Sequence, residues 1–272
     1  MAHAVRSDWN SLVLDKEVPL ALPDVARIAG EVWLEIKELC NLSSVKLSVA
    51  YDWKVFQQPD YSSILAYASR TMWLINDEWV STALTGHDDL DGYIWIRVNP
   101  YVPNGWFVDD GRCNIGNHFD LRTVLRHEIL HGVGLSSSLR ENNLGYFHNE
   151  VCYPLQFDNE IKTKDGVKVV KGCNLTTAAS SDLYMNNVQL FNPETFISGS
   201  SYSHSTKGIM YAYIPARTCL NLDEQSLQLI EGLGASCGEV PVQYGKNRGD
   251  QMHMSFVVFI LFFISFLKIL KN

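Results

Sequence analysis

Apolar positions recur at three- and four-residue spacing between residues 23 and 40. Val25, Ile28, Val32, Ile36 and Leu39 fall on one face and predict an amphipathic helix. Residues 45–51 instead alternate, with Val45, Leu47, Val49 and Tyr51 on one side, the period of a half-buried strand. Residues 63–75 are apolar and predict a further strand, and Asp88 to Asp91 forms a polar turn. Gly92 to Asn99 is rich in aromatic and β-branched residues and predicts another strand. It runs into a Pro/Asn/Gly loop that ends at Gly105. A second helix begins at Asp120, carries Val124, Leu125, Ile129, Leu130 and Val133 as its apolar stripe, and is closed by Gly132 and Gly134. Residues 136–200 show no sustained period and read as irregular, with one hairpin candidate at Lys164-Asp165-Gly166. A last helix runs from about Asp223 to Leu233, and no internal repeat is visible.

The two ends depart from this pattern. Residues 254–267 read MSFVVFILFFISFL, followed by Lys268, Ile269, Leu270, Lys271 and Asn272. A membrane-spanning helix needs about 20 apolar residues and accepts about 17. Residues 254–270 therefore predict a C-terminal hydrophobic anchor, with Lys268 and Lys271 reaching to the interface. The same stretch also fits a GPI-attachment signal behind small residues near Asn247 or Gly249. Residues 239–253 read as a polar linker to it. Residues 1–22 read as an N-terminal extension, and the chain up to Pro23 holds no apolar h-region of a signal peptide.

With 272 residues, of which 46% are hydrophobic and 19% charged, the chain can bury a sizeable core, which excludes disorder as a description of the whole. The formal charge of −8 argues against a nucleic-acid partner, which requires a basic stripe. Six cysteines are spread along the chain without a CxxC pair, so a cysteine zinc site or a thioredoxin-type motif is not indicated. Two glycosylation sequons, Asn41-Leu42-Ser43 and Asn174-Leu175-Thr176, accompany them. The even count and the sequons together point to an oxidising compartment and about three disulfides. Six cysteines allow about 15 pairings, so the connectivity is open, with Cys152–Cys173 and Cys219–Cys237 as the local guesses.

The most informative segment is Arg126-His127-Glu128-Ile129-Leu130-His131-Gly132-Val133-Gly134. Histidines four apart project from one helix face and can ligate one metal ion, and Glu128 beside them can deprotonate a water without being a ligand. This is the H-E-x-x-H arrangement of zinc hydrolases. A catalytic zinc needs a third protein ligand and an open position. The extended spacing H-E-x-x-H-x-x-G-x-x-H would place it at residue 137, where Gly134 fits but Ser137 is a poor ligand. Downstream candidates are Glu141, His148, Glu150, Asp158 and His204.

His204 is set apart by its neighbours, Tyr202-Ser203-His204-Ser205-Thr206 followed by Ile209-Met210-Tyr211. Together with the His127–Gly134 helix, this run resembles the metzincins, in which a third histidine precedes a methionine turn beneath the metal. The His-Ser and Met-Tyr pairs are similar to those of matrixins. Residues 136–200 correspond to an insertion before the third ligand, placed as in leishmanolysin-type metzincins. A group of secreted microbial metalloproteases is also similar, at Ile96-Arg97-Val98-Asn99, Trp106, Phe119-Asp120-Leu121 and Tyr202-Ser203-His204. The resemblance covers roughly residues 45 to 237. It implies His127, His131 and His204 as zinc ligands, Glu128 as general base and Met210 as the Met-turn residue. Astacin-like relatives place a tyrosine two residues after that methionine. Here Ala212 stands there, and Tyr211 and Tyr213 on either side are the candidates for oxyanion support.

The resemblance further implies an α+β fold over residues 23–238. A twisted mixed sheet and two helices would have the zinc helix at their base. A smaller irregular subdomain would hold the insertion, the Met-turn and the last helix. In metzincins the strand preceding the zinc helix rims the cleft and pairs with extended substrate, a role that falls here to Gly92–Asn99. The implied activity is that of a zinc-dependent endopeptidase acting on protein or peptide, extracellular or at the cell surface through the C-terminal segment. The alternative is a catalytically silent surface protein that keeps the fold for binding or adhesion. The presence of Glu128 argues against it. Cys113 is expected to be a disulfide partner rather than a zinc-blocking thiol.

Overall fold

The computed structural model describes residues 22–240, apart from 62, 103–104, 109–112, 114–115, 139–144, 177–181 and 198. The expected anchor at 254–270, the candidate ligand Glu141 and nearly all of the N-terminal extension lie outside the described residues. Helix α1 (Leu22–Leu39) buries Val25, Ile28, Val32 and Ile36 of the stripe its spacing predicts, together with Ala29, while Leu39 is partly buried. It packs on strand β1 (Lys46–Tyr51). A short helix α2 (Trp53–Phe56) follows, capped by Asp52, whose carboxylate accepts from the Val55 N–H at 2.9 Å.

The principal sheet is mixed and three-stranded. Strand β2 (Ala66–Arg70) is followed by a hairpin of β3 (Met72–Ile75) and β4 (Glu78–Ser81), and then by β5 (Tyr93–Val98). The order is β1-β5-β2, with β1 parallel and β2 antiparallel to β5. The apolar run at 63–75 is thus two strands, not one. Pairing with β5 ends at Arg70↔Ile94, and the chain then turns back at Asn76 and Asp77, both with positive φ (49° and 64°). Asn and Asp tolerate this conformation, so they close a two-residue hairpin. The position of β5 also corrects the expectation for Gly92–Asn99. It is the central strand, with both hydrogen-bonding edges taken by β1 and β2, and has no edge left for a substrate. The edge strand that packs on the histidine helix is β2.

The loop after β5 leads into that helix. Buried Asn99 donates to Ile64 O (2.6 Å) and accepts from the Tyr101 N–H (2.7 Å), while Trp106 Nε1 donates to Asn99 O (2.9 Å). Trp106 lies in β6 (Trp106–Phe107), which runs parallel to β7 (Phe119–Asp120). Asp120 then caps α3 (Leu121–Val133), accepting from the Thr123 N–H at 2.8 Å. Helix α3 is buried on nearly every side, which explains its modest amphipathicity. Ion pairs Arg122–Glu31 (2.7 Å) and Arg126–Glu35 (3.2 Å) join it to α1.

Residues 136–200 are richer in structure than their sequence suggests. They form a hairpin of β8 (Tyr146–His148) and β9 (Val151–Tyr153), then helix α4 (Gln156–Glu160). Strands β10 (Lys162–Thr163), β13 (Leu183–Met185) and β14 (Val188–Gln189) make a small antiparallel sheet, and β11 (Val170–Lys171) pairs with β12 (Asn174–Leu175). The expected turn at Asp165-Gly166 is present, with the Thr163 N–H donating to Val167 O. Helix α5 (Glu224–Gly232) starts at its Asp223 cap. Its residues share one hydrophobic core with those of α1, α3 and the main sheet.

Three disulfides are formed: Cys40–Cys237, Cys113–Cys219 and Cys152–Cys173. Cys152–Cys173 agrees with the expected local pair, and Cys219–Cys237 does not form. Helix α5 lies between those two cysteines, and its nine residues extend about 13 Å. A disulfide tolerates a Cα separation of only about 7 Å. Cys237 instead returns to the end of α1, where the Gly238 N–H donates to Leu39 O. Three disulfides fit an oxidising, extracellular environment. Both sequon residues, Asn41 and Asn174, are exposed. Among the described residues no helix is long and apolar enough to cross a membrane.

Gly132 does not end α3 but lies inside it. A Cβ at this position would stand 2.9 Å from Ile94 Cγ1 and closer still to Cγ2, so glycine allows α3 to approach β5. Gly132→Ala gains up to about 1 kcal/mol of helix propensity but costs about 1–3 kcal/mol in overpacking. We expect a net loss of stability in denaturant titration. A more stable variant would mean that α3 and β5 are not in this contact.

Candidate metal centre

Local geometry at the two ends of α3 sets the first two histidines. Asp120 fixes where the helix starts, which places His127 and His131 one turn apart on the same face. At the other end Gly134 adopts φ 150°, and Leu135 N–H donates back to Leu130 O at 3.1 Å. The chain therefore folds under the helix and presents Leu135 O to His131 Nδ1 at 2.5 Å. The positive φ is what calls for glycine here.

His204 comes from the far side of residues 136–200. Its segment is laced to the end of β14: Tyr202 N–H donates to Phe191 O (2.8 Å) and Phe191 N–H to His204 O (2.7 Å). Ser205 N–H donates to Met210 O (2.9 Å), closing the turn that contains the buried Met210. That turn presents Ile209 O to His127 Nδ1 at 2.7 Å. Ile209 is held in turn by Asp223, which accepts its N–H at 2.8 Å while capping α5. His204 Nδ1 faces Ser200 O at 2.9 Å.

Each histidine thus meets a backbone carbonyl through Nδ1. A carbonyl only accepts, so each Nδ1 carries the proton and each Nε2 is left with its lone pair. The three Nε2 atoms converge. His127 Nε2 lies 2.9 Å from His131 Nε2 and 3.2 Å from His204 Nε2, and ligand atoms of all three fall within 4.8 Å of one another. Three inward lone pairs repel one another unless a cation lies between them. A tetrahedral ion about 2.1 Å from each nitrogen spaces its ligands about 3.4 Å apart, close to the observed separations. The donor set therefore fits a bound metal ion. Burial reinforces it by disfavouring protonation. His127 is pushed down to about 4, His204 to about 3, and His131 well below its ordinary range by burial and then by its two neighbours. All three are ready to ligate at neutral pH.

Glu128 is fully buried beside them, and neither carboxylate oxygen has a hydrogen-bond partner among the described residues. Burial raises its pKa to about 8. A cation at the histidines would oppose that shift and favour the carboxylate. A buried carboxyl without such a partner is costly for folding.

The other candidates do not join this cluster. His148 is exposed on β8 and packs edge-on against Trp79, and Glu150 is an exposed turn residue. Asp158 is buried, but it accepts from Ser137 Oγ (2.5 Å) and from the Ser138 N–H (3.0 Å). Tyr211 and Tyr213 pack edge-on against each other and against Phe191, which carries the His204 segment. Sequence reasoning missed Arg70, whose guanidinium donates to His131 O (2.9 Å) and Ser136 Oγ (2.5 Å). It also missed the role of Asp223 behind Ile209, visible in the sequence only as a helix cap. No protein-family model, curated protein or solved structure matches this chain.

In the metal-free protein the folded state keeps a proton on Glu128 between about pH 4.5 and about 8, where the unfolded chain has released it. The folded state binds more protons there, so this carboxyl costs stability as pH rises through that window. The three histidines act the other way, and their contribution is lost as pH falls below about 6.5. We expect the stability advantage of metal-free Glu128→Gln over the parent to grow from pH 4.5 to 8 in paired denaturant titrations. Parallel curves would show that the carboxyl is not held in an apolar site.

Proposed function

We propose that the protein is a zinc-dependent endopeptidase of metzincin type, with His127, His131 and His204 as the ligands and Glu128 as the general base. The observation that carries this reading is the convergence of three proton-free Nε2 atoms beside a buried, unpartnered glutamate. An all-imidazole donor set of this kind would suit zinc. Zinc, when bound there, supplies Lewis acidity that polarises a carbonyl and acidifies water.

The chain's own residues do the rest. Glu128 takes a proton from the attacking water and returns it to the leaving amine, a role that suits a carboxylate with no hydrogen-bond donor among the described residues. The three carbonyls at Ile209, Leu135 and Ser200 keep the imidazoles in one tautomer and one orientation. Strand β2, at the sheet edge beside α3, takes the substrate-pairing role that the resemblance gave to Gly92–Asn99. An extended peptide adds to such an edge through main-chain hydrogen bonds. Tyr211 and Tyr213 follow the turn after His204, on either side of Ala212, and are the groups for transition-state support. The three disulfides suit action outside the cell, and residues 254–270 supply the membrane attachment.

Glu128→Gln should lower cleavage of an unstructured protein substrate by at least about 10²-fold, with zinc content unchanged. His204→Ala should lose bound zinc, as read by metal analysis after dialysis. A Glu128→Gln protein that cleaves at the parent rate would sink the reading.

A further inference from the structure

Residue 137 is where the uninterrupted metzincin spacing would put its third ligand, and here it is a serine. The structure gives this serine a different task. Its N–H donates to Ser203 Oγ at 2.9 Å, and Ser203 is the residue before His204. Its own Oγ donates to Asp158 Oδ1 at 2.5 Å. Asp158 is a buried carboxylate from α4, and its second oxygen accepts from both the N–H and the Oγ of Ser138. Ser138 Oγ accepts in turn from the Gly145 N–H at 2.7 Å. The Arg70 charge faces Asp158 while its guanidinium donates to His131 O.

These bonds connect parts of the chain that no local pattern joins. The loop leaving α3 provides Leu135 O for His131, and the segment at 200–204 provides the third ligand. Ser137 spans the two. Ser203 is buried, so its hydroxyl is not there to meet water. A buried hydroxyl acceptor left without its donor is unfavourable, which makes the link directional.

We propose that Ser137, Asp158 and Ser203 form a positioning latch for the displaced third metal ligand: Asp158 orients Ser137, and the Ser137 N–H holds Ser203 beside His204. The inference rests on the metal-centre reading above. None of the three belongs to the His127, His131 and His204 cluster. They act through His204 by fixing its backbone against the end of α3.

The test uses the full chain and reads metal binding rather than cleavage. Zinc affinity is measured by competition with a chelator, and coordination by the visible absorption of the cobalt(II)-substituted protein. Ser203→Ala should weaken zinc binding about 10–100-fold, the usual effect of losing a group behind a ligand, and should shift the cobalt bands. Ser203→Thr keeps the oxygen and should restore both. Ser137→Ala keeps the N–H but loses Asp158, so it should give a smaller loss; it carries the same test if Ser203→Ala does not fold. Parent-like zinc affinity and cobalt spectrum in the alanine variants, even with a lower melting temperature, would overturn the latch and leave the metal centre standing. A parent chain that takes up neither zinc nor cobalt would overturn both.

Discussion

Three neutral imidazoles pointing their lone pairs at one another is the arrangement on which the rest of this structure depends. It is unfavourable on its own terms. The rings are buried, uncharged and mutually repelling, and each keeps its orientation because a carbonyl binds the opposite nitrogen. Those carbonyls come from three separate stretches of chain: the turn after α3, the segment before His204 and the turn before Met210. Each stretch has its own support, from Gly134, from the strand pairing at Phe191, and from Asp223. A set of donors held this firmly is preorganised, so little reorganisation is left when a cation binds.

Residues 136–200 take on a different meaning in this light. Read as an insertion, they separate His131 from His204. In three dimensions they supply the strand to which His204 is laced, since β14 belongs to the β10-β13-β14 sheet and its continuation bonds both sides of His204. They also supply Asp158, which gathers the serines after α3. The Cys152–Cys173 disulfide closes β9 onto the β11–β12 turn within the same region. The segment is scaffold as much as interruption.

Burial sets the electrostatic character of the centre. The same low-dielectric surroundings that keep the histidines neutral also hold Glu128 protonated when no cation is present. The two effects oppose each other in stability against pH, and a bound cation relieves both, by using the lone pairs and by stabilising the carboxylate.

Much of this was legible along the chain. The α1 and α3 stripes, the Asp120 and Asp223 caps, the Gly134 reversal, the alternation at β1 and the β-branched and aromatic content of β5 are local. Helix and strand periods and capping depend on neighbours within a few residues. The pair His127 and His131 is local for the same reason. His204 could be singled out only by resemblance, because nothing local brings residue 204 to residue 127. Composition told that residues 92–99 form a strand but not which strands flank it, and so the sheet order overturned the rim position that the resemblance implied. The Cys219–Cys237 expectation failed likewise, since nearness in sequence ignores the rigid length of α5 between them. Ser137 reads in the sequence as a missing ligand. Only the tertiary path, which sets Ser203 and Asp158 against it, makes it a structural partner of the His204 segment. Hydrogen-bond partners across some 66 residues are decided by where the whole chain packs, and a one-dimensional pattern carries no record of that.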